Sequence, residues 1–231
     1  MARPIHSLSL TIAALVALTA CDRAPAPTEP APPAVGAVAS PDTPQAGFTA
    51  RCLETATQSD RNAARAACDA RWSDVEAARP LARSLLALFR GGDAPGVDPN
   101  TISARMSQID WNAPRAEDAV RSGMLGDLSI DVLASPRGRL RVRSSGANLD
   151  VVEALRAEGA GVTPVACHGG AEPASVYRVE RRDHTAFAIT VARPPQGRGF
   201  NRLTVDADGR IPILARLRAE EPDLDWTAED C

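Results

Sequence analysis

The 231-residue chain contains no lysine, so all 26 of its basic residues are arginine, and aromatic side chains make up only 3% of it. The missing lysine reads as codon usage and carries no functional information. Histidine is nearly as scarce. Of the three present, only His168 and His184 lie outside the first twenty residues. Histidine-rich metal sites and most Ser/His/Asp arrangements therefore have few candidate bases. GxSxG, HExxH, P-loop and CxxC motifs are all absent, which removes the chemistries that need them. No apolar run is long enough for a permanent membrane span: the best, Leu8 to Leu18, is too short at about 1.5 Å per residue to cross roughly 30 Å of hydrocarbon. The formal charge is −3, a poor balance for general nucleic-acid binding. No cofactor, metal or nucleic acid is expected.

What is present begins with a leader. Arg3 supplies a positive end and the Leu8–Leu18 stretch an apolar core, the pattern of an export signal. The following Leu18-Thr19-Ala20-Cys21 resembles the lipobox of bacterial lipoproteins. That resemblance implies a signal peptide over 1–20, cleavage before Cys21, and diacylglycerol on the Cys21 thiol. Each buried methylene contributes about 0.8 kcal/mol, so two or three acyl chains would suffice for stable attachment to a membrane. The expected location is a membrane surface facing the periplasm. Asp22 is similar to the inner-membrane retention signal of some enterobacterial lipoproteins and leans the expectation that way.

Residues 22–47 hold seven prolines and no aromatic, leucine or isoleucine. Such a segment cannot bury enough apolar surface to fold and reads as a tether, spanning up to roughly 80 Å if polyproline-like. Domains are thus expected as a signal peptide (1–20), a lipidated cysteine with a Pro/Ala-rich tether (21–47), a helical lobe (48–125) and an antiparallel α+β lobe (126–231). The fold class expected is α+β, with the helical lobe packed on the other. Without Arg3, the exported part has 25 basic and 29 acidic residues.

Within the helical lobe, Ser73 and Glu76 have capping-box spacing, and Leu81, Leu85, Leu88 and Phe89 recur at helical intervals. Pro80 predicts a kink or a fresh start. Asp98-Pro99 predicts another helix, with Ile102, Met106 and Ile109 on one face, and Pro114 a further short one. From about residue 127 the period changes to two. Leu128, Ile130 and Val132, the turn Pro136-Arg137-Gly138, then Leu140 and Val142 predict a hairpin. A helix over 148–158 ending at Gly159, a strand over 162–167 and a hairpin turning at Arg182-Asp183 follow. The stretch 203–213 should bend at Asp206-Ala207-Asp208-Gly209.

Cys52, Cys68, Cys167 and Cys231 form an even set in a chain bound for an oxidising compartment. Three pairings are open. On one straight helix Cys52 and Cys68 would stand about 24 Å apart, beyond bridging distance, but a turn near Gln58-Ser59-Asp60 makes a helical hairpin. The preferred pairings are Cys52 with Cys68 and Cys167 with Cys231. The competing use of Cys167 as a nucleophile activated by His168 is disfavoured, because neighbours on a strand face opposite ways.

Other candidates for chemistry are thin. His168-Gly169-Gly170 reads better as a glycine turn than as an oxyanion loop. Asp206 and Asp208 lack the remaining ligands of a calcium loop. Arg139, Arg141 and Arg143 alternate with Leu140 and Val142, so on a strand the three guanidiniums would share one face, suited to carboxylates or phosphates. This row is either a docking surface for an anionic partner or a solvated face neutralised by the acidic C-terminal residues.

Thr57 to Asn62, set between Cys52 and Cys68 behind a lipobox, resembles the cysteine-linked helical hairpin of lysozyme-inhibitor lipoproteins over about 25 residues. The resemblance transfers no functional residue. The expected function is a membrane-tethered envelope module that binds another protein, with an inhibitor or immunity protein against a cell-wall-degrading enzyme as its sharper form. The alternative is an envelope hydrolase using carboxylates with His168 or His184 as acid or base.

Overall fold

A computed structural model describes residues 43–57, 60–144, 148–194 and 199–228 of the chain. Thr43 accepts the Ala46 amide and Pro44 sits in the first turn, and together they start α1 (Pro44–Glu54). The first four residues of this helix lie in the stretch that composition assigns to the tether. Asp60 then accepts the amides of Asn62 and Ala63 at 2.8 and 3.3 Å and opens α2 (Arg61–Leu88).

Helix α2 differs from the sequence expectation at both of its internal markers. Ser73 is no N-cap: it lies mid-helix, with its hydroxyl donating to the Ala70 carbonyl. The helix also runs through Pro80. Ala63, Ala64, Ala66, Ala67 and Ala70 supply the strongest helix former early on. Buried Val75, Leu81, Leu85 and Leu88, each contributing about 1.5–3 kcal/mol of apolar burial, outweigh an interior proline's cost of about 3 kcal/mol. Helix α3 (Pro99–Arg105) starts where expected, capped by Asp98.

Eight strands follow: β1 (Asp110–Asn112), β2 (Ala119–Leu125), β3 (Leu128–Leu133), β4 (Arg139–Ser144), β5 (Gly161–His168), β6 (Ala174–Glu180), β7 (Ala186–Ala192) and β8 (Arg202–Asp206). They form one antiparallel sheet in the order β1-β2-β3-β4-β8-β7-β6-β5. Two four-stranded meanders meet along β4 and β8. The segment 48–125 is therefore not wholly helical, since β1 and β2 belong to the sheet and residues 113–118 form a turn instead of a helix opened by Pro114. Gly123 hides β2 from the alternation pattern. It lies opposite Trp111, where a β-carbon would come within 2.5 Å of Ile109 Cγ2.

Helix α4 (Val151–Ala157) links the meanders and packs against α1 and α2. It ends in a Schellman motif: Ala160 N–H donates to the Leu155 carbonyl, Gly159 N–H to that of Arg156, and Gly159 takes φ 86°. After β8 the chain does not turn back as a second strand. It runs on to α5 (Leu214–Glu220).

The main core fills the space between α2, α3, α4 and the inner sheet face, with Leu81, Leu85, Ile102, Leu155, Ile130, Val142, Ile189 and Leu203 among its members. Phe89 stacks on Phe187 with centroids 4.1 Å apart. A smaller cluster occupies the outer face at the other end of the sheet, where Leu217 and Trp226 cover Ala166, Val176, Ala188 and Ala192. Strand β5 serves both, because its register shifts between Pro164 and Ala166: Val162 points into the main core and Ala166 into the second. The described residues belong to one compact unit of mixed α+β class.

Candidate functional site

The arginine row takes the alternation expected of it. Leu140 and Val142 enter the core while Arg139, Arg141 and Arg143 point to the outer face. Their charges, however, are answered within the chain. Arg141, 12% exposed, reaches Asp131 at 3.1 Å and grips Asp118 with two hydrogen bonds of 2.5 and 2.7 Å. Asp131 is 4% exposed and also accepts the Ser122 hydroxyl at 2.7 Å, while Ser122 accepts the Arg115 amide. Arg139 pairs with Asp206 at 2.8 Å. The contact with Arg141 holds the Asp118 carboxyl below the usual carboxylate range.

Among the described residues the neutralising groups are thus Asp118, Asp131 and Asp206, and none of the described C-terminal carboxylates reaches the row. Of those, Glu220 pairs with Arg216 and Glu221 accepts the Trp226 indole N–H, while Glu229 and Asp230 lie outside the described residues. What the row leaves to an external anion is Arg143, half exposed and 3.9 Å from Asp131, directly across from Arg202 on β8.

Cys52 and Cys68 are bridged, with their Cα atoms 5.9 Å apart, and tie α1 to α2 as a hairpin. Phe48 packs on Trp72 beside the bridge, and Arg51 crosses to Glu153 of α4 at 2.6 Å. Cys167 is itself disulfide-bonded, which leaves it no free thiol for nucleophilic chemistry. Cys231, the partner expected for it, and Cys21, the expected lipidation site, lie outside the described residues. The two histidines do not meet. His168, at the end of β5, stands edge-on to Trp226 with centroids 4.5 Å apart and is paired with Ala174 at the start of β6. His184 lies past the other end of β6, in the β6–β7 turn.

Two clefts bear on the site. The first, of about 150 Å³, lies between α2, α4 and the end of β7, and Arg71, Asp74, Asp150 and Arg193 supply its charges. Asp150 spends its carboxylate on capping α4 through the Glu153 amide and stands 3.8 Å from Arg71. Burial pushes its pKa up, against the pull of that cap. Arg193 donates to the hydroxyl of buried Tyr177. The second cleft, of about 220 Å³, lies between the α4–β5 connection and the β6–β7 turn, lined by Gly159, Gly161, Thr163, Glu180, Arg182 and His184 among others.

Neither cleft is visible in the sequence as a motif. Arg71, Asp150 and Arg193 are far apart along the chain, and only Asp150 carries a local signal, as an acid just before an apolar helical run. The β6–β7 turn is legible at Arg182-Asp183, but the unusual backbone of His184 is not. Among the described residues no three His, Cys, Asp or Glu side chains converge on a metal-sized site, and no helix is long and apolar enough to cross a membrane. No protein-family model, curated protein or solved structure matches this chain.

Proposed function

We propose that the chain is a lipid-anchored envelope protein, held at Cys21 on the periplasmic side of a membrane, with a domain that binds another protein. Its sharper form is an inhibitor or immunity protein directed against a cell-wall-degrading enzyme. The observation that carries the binding reading is the relief of the described surface. The two clefts described above, of about 150 and 220 Å³, fall below the roughly 300–1,000 Å³ of sites for drug-sized molecules. The lipobox-like Leu18–Cys21, the Pro-rich segment after it and the Cys52–Cys68 bridge support an exported, tethered module.

The test has two readouts. Mass spectrometry of the mature protein should find acylated Cys21 as its first residue, and cells lacking the protein should lyse faster when challenged with a periplasmic cell-wall hydrolase. An unacylated start elsewhere would remove the anchor. Equal survival of both strains would remove the inhibitor.

A further inference from the structure

Most arginines around the second cleft are already engaged. Arg178 pairs with Glu180 at 3.2 Å and Arg181 with Asp183 at 3.0 Å, the latter also donating to the Leu86 carbonyl. Arg156 is shared between Glu153 and the Val162 carbonyl. Arg182 differs: among the described residues no carboxylate or carbonyl receives it. Arg61, Arg65, Arg90, Arg115, Arg121 and Arg137 likewise have no carboxylate or carbonyl partner for their side chains there, but none of them lines either cleft, and Arg193, which lines the first, donates to the Tyr177 hydroxyl. The Arg182 guanidinium lies over Gly159, where a β-carbon would come within 2.5 Å of its Nη2. The glycine that closes α4 thereby opens the floor on which this cation rests.

His184 supplies an independent observation. Arg181 N–H donates to the Thr185 carbonyl at 2.9 Å and His184 N–H to that of Arg181 at 3.0 Å, closing a three-residue hairpin loop. The last position of such a loop needs positive φ and ordinarily falls to glycine. Here it is histidine at φ 64°, the one non-glycine residue with positive φ among those described. Glycine would sit there without strain, so the fold alone does not call for this side chain. The ring stands at the cleft, 89% exposed, with Nδ1 3.3 Å from Glu180.

We propose that this hollow binds a compact oxyanion, a phosphate or carboxylate group, between the Arg182 guanidinium and the His184 imidazole, with the Thr163 hydroxyl at its rim. Guanidinium is the side chain best matched to such a group. With Nδ1 turned to Glu180, Nε2 can donate to the anion only when the ring is protonated. The charged groups about the ring are Glu180, Arg178, Arg182 and Asp183. The proposal does not depend on the lipid anchor or on an enzyme partner.

The test titrates inorganic phosphate, acetate, and phosphatidylglycerol vesicles in turn into the full-length protein, following the Arg182 side-chain and His184 amide resonances. Saturable shifts are expected, with affinity about tenfold weaker in Arg182→Gln and in His184→Gly. His184→Gly should melt no lower than the wild type, since glycine relieves the left-handed backbone. Response to phosphate or acetate alone identifies a soluble ligand, and response to vesicles alone a lipid headgroup. Unchanged affinity in both variants, or no saturable shift with any of the three probes, overturns the site.

Discussion

Arg141 crosses from β4 to the buried carboxylate of Asp131 on β3, 3.1 Å away, while its outer edge clasps Asp118. One guanidinium therefore holds both a neighbouring strand and the β1–β2 turn. Replacing it by Arg141→Met leaves Asp131 charged and buried, which should cost about 3–5 kcal/mol in urea unfolding. Adding Asp131→Asn removes the stranded charge while keeping an acceptor for Ser122. The double variant should then lose clearly less than the two single losses summed. Strict additivity would show that the pair is not coupled.

The Cys52–Cys68 bridge closes a separation of 16 residues, for which chain entropy gives about 3 kcal/mol. The rest of the attachment of α1 is modest: Phe48 against Trp72, the Thr49 hydroxyl to Asp69 at 2.9 Å, and Arg51 to Glu153. Replacing both cysteines by serine should therefore lower overall stability by about that amount. It should also strip hydrogen-exchange protection from α1 before α2. Simultaneous loss of protection in both helices would count against a separable α1.

Asp150 lies three-quarters buried, with its pKa raised first by desolvation. A carboxyl that binds its proton more tightly folded than unfolded favours the fold at acid pH. That contribution is complete below the unfolded value and is lost as pH rises through the folded one. At neutral pH the residue is a good cap and a poorly solvated charge at once. Asp150→Asn keeps the cap and should leave thermal stability at pH 7 unchanged or improved. Asp150→Ala loses the cap and should cost about 1 kcal/mol. A large loss with asparagine would mean that the Arg71 contact, long as it is, outweighs desolvation.

Elements with a local chemical cause are legible in the residues alone. Asp98-Pro99 opens α3, Pro136-Arg137-Gly138 turns β3 into β4, Gly159 closes α4, and the alternation of β4 sets its arginines on one face. Elements decided by packing are not. Helix α2 runs past Ser73 and Pro80 because its apolar stripe is buried along its length. Strand β2 is obscured because Gly123 makes room for Trp111 and Ile109. The charge state of the arginine row was equally hidden, because Asp118 and Asp206 reach it from other elements. The same holds for the Arg182 and His184 hollow, whose floor is a glycine on a different element.

The seam between β4 and β8 has a consequence for the order in which the molecule can be completed. Five residue pairs join the two meanders there, yet the partners are some sixty residues apart along the chain. Closing so long an intervening loop is slow compared with forming either meander. Until residues 202–206 arrive, β4 presents an unpaired hydrogen-bonding edge able to recruit a strand from another molecule. A chain stopping short of β8 thus keeps the β4 and β7 edges open to pairing between molecules.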